Sequence, residues 1–174
     1  MANTQNIVLL KQGVDSWNQW RLQNLVLDRN RSDNKRLATN FSRVDLSGSN
    51  LKEFNLSGFN LTRANLSRAD LSRANLSRAN LQEAICHHAN LREAILIDAN
   101  LVSAFLRNAD LSGANLSGCD LTGANLSESD LTGANLSGAI FRGAILRNTD
   151  ISKANFSGAN LNGAILKGAI ISRM

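Results

Sequence analysis

Residues 64–81 read ANLSRADLSRANLSRANL, in which one five-residue unit returns without a gap. Stepping by five from Phe41 to Ile171 reaches 27 positions, and every one holds Leu, Ile, Phe or, once, Cys86. We number each repeat from this apolar position, i. The residue at i−2 is Ala in 19 of the 27 repeats, and the residue at i−1 is Asn or Asp in 20. This regularity makes the repeat the unit from which the fold is built.

The spacing within each unit indicates an extended chain rather than an α-helix. Side chains alternate between two faces along a strand, so i−2 and i point to one side and i−1 to the other. On a helix, a strict step of five drifts around the axis and leaves no constant apolar face. A small inward residue beside a large one fills a narrow interior, and the absence of proline suits a continuous hydrogen-bonded ladder. The run therefore predicts an all-β solenoid with a polar corner, i+1 and i+2, in each repeat.

Several repeats also carry the signature of a known family. They resemble the A(D/N)LXX units of pentapeptide-repeat proteins, and more than three quarters of the chain takes part. The resemblance implies a right-handed quadrilateral β-helix in which each coil takes four repeats. The opening segment, with VDSWNQWR at 14–21, is similar to leaders on cyanobacterial members. The clearest units are ANLSR at 64–68 and 74–78, ADLSG at 109–113, and ANLSG at 114–118 and 134–138.

Charges in the run support a 20-residue coil independently. Four successive i+2 positions hold arginine, and the residues 20 places further on are three acids and a histidine. Opposite charges stacked on neighbouring coils form surface ion pairs, so we interpret this belt as cross-coil pairing rather than a nucleic-acid patch. The expected ion pairs are Arg63 with Glu83, Arg73 with Glu93 and Arg78 with Asp98, while Arg68 stands opposite His88. At roughly 4.8 Å per coil, 27 repeats make a rod roughly 30 Å long.

Residues 1–38 precede the repeats and are expected to form a helical cap and lead-in, with the β-helix occupying 39–174. Apolar residues at helical spacing predict one or two short helices within 4–23, and Asp15 is a candidate cap for the second. A solenoid needs its open first edge covered. The residues expected to cover it are Trp17, Trp20, Leu22 and Leu25, assisted by the large i−2 side chains of Phe54 and Phe59.

No residue pattern indicates catalysis, a cofactor or a metal. Cys86, His87 and His88 are adjacent, but Cys86 is an inward i residue while the histidines belong to a corner, so the three cannot converge on one ion. Cys119 falls at an inward i−2 position, as expected of a small core residue. The many serines at i+1 belong to the repeat. We therefore expect a protein that is not an enzyme and has no small-molecule substrate.

The exceptions at the outward i−1 position carry more information than the repeats themselves. Seven of these positions are apolar, and four of the seven share one phase of a 20-residue coil: Ile85, Phe105, Ile145 and Ile165, with Asn125 interrupting the row. An exposed apolar stripe commonly marks a contact site, which makes these four residues candidates for partner contact. The alternative is ordinary variation of the repeat, in which isoleucine packs against neighbouring corners.

The two ends of the run differ. No cap is expected after the last repeat, where Ile170 and Ile171 would leave an apolar coil end. These two residues are therefore candidates for end-to-end association, and a homodimer through the C-terminal coil is one expectation. A missing C-terminal piece is the other explanation.

The bulk properties indicate a cytoplasmic protein. The start of the chain lacks the features of a signal peptide, no apolar run is long enough to span a membrane, and two cysteines do not make a disulfide framework. The net charge is +5, but six of the 19 basic groups lie in residues 1–40, so the repeats are close to neutral.

The leading functional hypothesis is a rigid, non-catalytic scaffold that binds a protein through one face of the rod. The alternative comes from the resemblance, because some family members mimic duplex DNA and bind DNA gyrase. Such mimicry requires an acidic rod, so the charge argues against it. Nucleic-acid binding by the basic N-terminal segment is a third hypothesis, and no interleaved aromatic residues support nucleic-acid binding in the repeats.

Overall fold

The computed structural model describes residues 8–10, 12–29 and 40–171, with the side chains of 24–29 excepted. Residues 8–10 are helical, and helix α1 spans Val14–Arg29. Gly13, with a φ of 100°, makes the bend between the two helical stretches. Asp15 lies inside the first turn of α1, where its carboxylate faces the positive end of the helix dipole. The predicted end of the helix at residue 23 was wrong, because no glycine or proline interrupts 22–29 and the helix continues through them.

Residues 40–171 form a solenoid held together by parallel β-bridges between residues 20 apart. The bridges fall at i−1 positions, and their columns pass through Asp45, Asn50, Asn55 and Asn60 at the start of the rod. We call the four sides faces A, B, C and D in that order. Four bridge positions in each 20-residue coil match the predicted period. The proposed boundary at residues 38 and 39 lies outside the described residues.

Each repeat uses its backbone N–H groups almost completely. In residues 65–69, three N–H groups donate to carbonyls of the neighbouring coils, one closes a turn, and one donates to a side chain. This accounts for the lack of proline, which would remove one of these donors. In chain order the acceptors are Val44 O, Ile85 O, Asn65 Oδ1, His87 O and Leu66 O, at 2.7–3.1 Å.

The corners are turns that place i+2 in the left-handed region. Every i+2 position from Arg43 to Gly168 has a φ between 54° and 76°, and 11 of these positions hold glycine. A carbonyl at i accepts from the N–H three residues on, as in Leu66 O to Ala69 N at 3.0 Å, which is the geometry of a type II turn. No β-branched residue occupies i+2, because branching at Cβ tolerates positive φ poorly.

The core is a column of alternating small and large side chains from i−2 and i. Nearly every inward Ala and Leu between 46 and 146 is completely buried. Two polar i−2 residues join them and satisfy their hydroxyls locally: Ser129 Oγ and Thr149 Oγ1 donate to Leu126 O at 2.7 and 2.8 Å. The interior is therefore filled along its length and leaves the outward i−1 and corner positions to decide what the surface can do.

Helix α1 covers the first coils with an aromatic plug. Trp17 is fully buried, and its ring centroid lies 5.5 Å from that of Phe59 and 6.0 Å from those of Phe41 and Phe54. Trp20 packs partly buried beside it. The predicted contribution of Leu22 was wrong, because α1 turns this side chain to solvent. The side chain of Leu25 lies outside the described residues.

Side chains of α1 also take the place of a preceding coil. The Asn55 and Ser57 carbonyls are equivalent to those that accept N–H groups from the coil below in later turns. Here Trp17 Nε1 donates to Asn55 O at 2.8 Å, and an Arg21 guanidinium nitrogen donates to Ser57 O at 2.7 Å. Asn18 Oδ1 accepts from the Asn55 N–H at 2.8 Å. The helix thus satisfies an edge that would otherwise expose unpaired backbone groups.

Candidate partner-binding surface

Face A carries the predicted apolar stripe in one continuous ladder. Bridges join Ile85 to Phe105 and Ile145 to Ile165, and both pairs are linked through Asn125. The side chains of Ile85, Phe105 and Ile165 are 36, 43 and 38% exposed, while Ile145 is partly buried. The structure thus places the four candidate contact residues on the same side of the rod and leaves apolar surface open to solvent.

The other apolar i−1 residues do not extend this surface. Ile95 lies on face C between Asn75 and Asn115, and Ile140 lies on face D between Asp120 and Asn160. Ile95 is 39% exposed, so it matches the stripe residues in kind and exposure but stands alone. Ile170 ends the ladder of face B. Among the described residues, face A is therefore the only side of the rod on which several apolar i−1 residues share one column.

Apolar residues at i−1 give up a hydrogen bond that the polar ones make. In all 20 repeats with Asn or Asp at this position, Oδ1 accepts from the N–H of i+1. The distances are 2.7–3.2 Å. This is an Asx turn, which stabilises the corner locally. Ile and Phe cannot accept that bond, so the stripe does not improve the corners it occupies.

A column of basic residues borders the stripe, which sequence reasoning missed. Each stripe repeat has a basic residue at i+1, whereas the other three described repeats of face A have Ser47, Ser67 and Ser127 there. The ring centroids of His87 and Phe105 are 6.0 Å apart, which shows the column lying against the stripe. Sorting i+1 residues by their place in a 20-residue coil would have revealed it. The column consists of His87, Arg107, Arg147 and Lys167.

Three of the four arginines in the belt form the predicted ion pairs, and the fourth, Arg68, stands opposite His88. Arg63 Nε and Arg73 Nε lie 2.8 Å from carboxylate oxygens of Glu83 and Glu93, and Arg78 lies 3.7 Å from Asp98. Hydrogen bonds from the guanidinium groups lower the pKa of the Glu83 and Glu93 carboxyls below their ordinary value. Because the four arginines of the belt lie at four different corners of the rod and three of them are paired, they do not form a single cationic surface.

The cysteines are core residues. Burial raises the pKa of the Cys86 and Cys119 thiols to about 12, so both are protonated at neutral pH. The Cys119 thiol donates to Leu96 O at 2.8 Å. His87 and His88 lie outside the core, at the corner between faces A and B. The structure therefore separates the adjacent Cys and His residues as the repeat register predicts.

Face B is the acidic side of the rod. Its bridge column contains Asp70, Asp110, Asp130 and Asp150, with Asn90 between the first two. The hydroxyl and the N–H of Ser152 hold the pKa of the Asp150 carboxyl below its ordinary value. This column is one line of charge and not an acidic rod, because lysine and arginine occupy the neighbouring corners.

The last described coil is the most open part of the rod. Ile170 and Ile171 are exposed, and Leu166, an inward residue, is also exposed. Further back the equivalent inward leucines are fully covered by the next coil. The two candidates for end-to-end association therefore lie on apolar surface in the described residues.

The chain belongs to the pentapeptide-repeat family. The family model for pentapeptide repeats matches it in 8 copies, over residues 39–78, 60–96, 74–113, 109–148 and 129–168. Membership implies a right-handed β-helix. None of the curated protein sequences matches the chain. In the described residues, no helix combines the length and the apolar character needed to cross a membrane.

Solved structures include relatives from cyanobacteria. HetL, a pentapeptide-repeat protein involved in heterocyst differentiation regulation in Nostoc sp. strain PCC 7120, is 33% identical over 76% of each chain, with a TM-score of 0.31. Rfr23 from Cyanothece 51142 is 28% identical over 88% of this chain and 96% of its own, with a TM-score of 0.27. QnrB1, a plasmid-mediated fluoroquinolone resistance protein, is 20% identical over 77 and 80%, with a TM-score of 0.33. The family match and the HetL identity carry the assignment, not the superpositions.

Proposed function

We propose that this protein is a rigid, non-catalytic scaffold that binds a protein partner through face A. One observation carries the proposal: Ile85, Phe105, Ile145 and Ile165 share one exposed column although asparagine would stabilise each corner better. A preordered ladder loses little conformational entropy on binding. Members of the family are generally structural or binding proteins. A helical cap at 1–38, a β-helix at 39–174 and a cytoplasmic location belong to the same proposal.

Asparagine substitutions test the stripe without disturbing the fold. The tagged chain and its Phe105→Asn/Ile145→Asn variant are used to recover proteins from an extract of the source organism. Asn65 and Asn125 already occupy the same column, so the variant repeats keep a native corner. We expect the variant to lose the proteins that the unmodified chain recovers, as measured by quantitative mass spectrometry.

Ile95→Asn is the matched control, because this residue is equally exposed but lies on face C. It is expected to recover the same proteins as the unmodified chain. Equal recovery by the stripe variant and the unmodified chain would remove face A as the binding surface.

Modulation of DNA gyrase is the second candidate, favoured only by the aspartate column of face B. The net charge of +5 opposes it, since a mimic of duplex DNA needs negative charge on more than one side. A gyrase supercoiling assay with added protein decides this candidate. Neither inhibition of the enzyme nor protection against a quinolone is expected.

Association of two copies through the last coil is a separate proposal, supported by the exposure of Ile170 and Ile171. It concerns a different surface from the stripe. Both can therefore operate in one molecule.

A further inference from the structure

We propose that face A takes an amphipathic α-helix of the partner, with carboxylates along the helix edge that faces the corner between faces A and B. This inference rests on the proposed function and specifies the chemistry of the partner. It starts from the coincidence of two columns: the apolar stripe at i−1 and the basic residues at i+1 of the same repeats. Among the seven described repeats of face A, the four with an apolar residue at i−1 also have a basic residue at i+1, and the other three have neither.

The spacing of the stripe fits a helix lying along the rod. From Ile85 to Ile165 the column rises four coils, which is roughly 19 Å at about 4.8 Å per coil. A helix of about 13 residues has this length. Its apolar side chains recur every three or four residues, at about 5.4 Å, close to the coil spacing. Stripe residues and helix residues can therefore interdigitate over the whole length, with Asn125 opposite a polar position.

The basic column supplies the charge that such a helix would meet. Arg107 is already paired within the protein, because its guanidinium nitrogen lies 2.7 Å from Glu128 Oε1 at the same corner, so the charge offered to the partner comes mainly from Arg147 and Lys167. Arg147 and Lys167 are exposed in the next two coils that carry the stripe. A shallow depression of about 680 Å³ at the other end of the column is lined by Ser67, Arg68, His87, His88, Arg107 and Asn108. Acidic side chains on the partner helix complement this border.

The aspartates of face B favour a narrow partner over a nucleic acid. They lie on the far side of the same corner, with Asp110 and Asp150 three residues after Arg107 and Arg147. A helix of about 10–12 Å in diameter can lie along face A with one lateral edge at the basic column. A duplex with phosphates on both sides would extend past the column and meet the aspartates.

The test is a selection of peptides displayed on phage against the full chain. The library contains 16-residue helical peptides with leucine fixed on one face and every other position randomised. We expect selected peptides to carry Asp and Glu along one edge of the leucine face. A synthetic peptide from the selection then gives dissociation constants by fluorescence anisotropy.

Matched variants assign the binding to each column. Phe105→Asn/Ile145→Asn and Arg147→Ser/Lys167→Ser are each expected to weaken the peptide at least tenfold. Ile95→Asn on face C and Arg92→Ser at the corner between faces B and C are expected to leave it unchanged. All of these variants introduce residues found elsewhere in the same columns. Circular dichroism and urea unfolding of every variant show that the fold is retained.

Each contrary outcome has a separate meaning. Peptides that depend on the stripe but show no acidic edge, or that ignore Arg147→Ser/Lys167→Ser, overturn this inference and leave the proposed function standing. An absence of binders also overturns it, while the extract experiment judges the proposed function separately. Peptides that bind the Phe105→Asn/Ile145→Asn variant as tightly as the unmodified chain contradict both this inference and the proposed function. Tight binding of a fluorescein-labelled 20-base-pair duplex that is lost in the Arg147→Ser/Lys167→Ser variant alone would identify a nucleic-acid surface instead.

Discussion

At the level of single residues, the corner of each repeat is specified by two positions. Asn or Asp at i−1 accepts from the i+1 N–H, and i+2 adopts positive φ. The first effect explains a preference visible in the sequence. At i+2, residues other than glycine adopt positive φ at more than half of the corners. The backbone strain is therefore distributed over many repeats rather than concentrated in one.

Replacing Asn75 tests the first effect. Asn75→Ala removes the acceptor for the Ser77 N–H, now 3.0 Å away, and should lower the free energy of unfolding by about 1 kcal/mol. Asn75→Asp keeps the acceptor and should stay close to the unmodified protein. Urea unfolding followed by circular dichroism measures both. Equal losses from the two substitutions would mean that this hydrogen bond is not the cause.

Replacing Ser103 tests the second effect. Its φ is 56°, a conformation that costs an L-residue roughly 1–2 kcal/mol and glycine little. Ser103→Gly should therefore raise stability by up to about 1 kcal/mol, after the greater entropy that glycine loses on folding. Ser103→Val should lower it, because branching at Cβ worsens the strain. Thermal unfolding of the two variants should move in opposite directions, and movement in the same direction would contradict the assignment of strain to i+2.

At the level of elements, helix α1 and the coils depend on different forces. The helix adheres by burying an aromatic plug and by donating to carbonyls of the first coils. The coils adhere to one another by ladder hydrogen bonds and a continuous core, with ion pairs contributing at the surface.

The plug predicts a large difference between two residues of α1. Trp17→Ala removes a fully buried ring and the donor to Asn55 O, and should cost about 3–5 kcal/mol of unfolding free energy. Leu22→Ala, at an exposed position of the same helix, should change it little. Urea unfolding distinguishes them. A small effect of Trp17→Ala would show that the rod is stable without its cap.

The ion pairs predict a dependence on acid and salt. The folded carboxyls of Glu83 and Glu93 have a pKa below the ordinary value, so their pairing contributes stability above the unfolded pKa of about 4.3. That contribution is lost as pH falls through the lower folded pKa. Arg63→Gln/Arg73→Gln should therefore reduce the loss of stability between about pH 5 and pH 3. High salt should weaken the difference between the proteins, and an unchanged acid profile would contradict the pairing.

At the level of the whole rod, the described residues present an apolar stripe, an acidic face and exposed apolar side chains in the last described coil. The last coil predicts self-association. Ile170→Asp/Ile171→Asp should shift the protein toward the monomer, because charges replace exposed apolar surface. Size-exclusion chromatography with light scattering measures the mass, and Ile95→Asp on face C is the control. An unmodified protein that is monomeric at high concentration would exclude association through this coil.

The repeat pattern alone specifies the inside of the rod. A period of five with apolar i and small i−2 leaves one way to bury them, and cross-coil charges indicated the 20-residue coil before the bridges displayed it. The stripe could be predicted from the same period, because without insertions any two residues 20 apart in the chain lie on the same face of the rod. These inferences succeed because the contacts that they concern all join neighbouring coils.

Tertiary packing decides how helix α1 covers the first coils. It also decides which surface side chains contact one another. The exposure of Leu22 and the hydrogen bonds from Trp17 and Arg21 to the first coils depend on how α1 is rotated against the rod, which no repeat pattern encodes. The contact of His87 with Phe105 likewise depends on corner geometry. Periodicity specifies the contacts that repeat, whereas the contacts that occur once are settled by packing between segments distant in the chain.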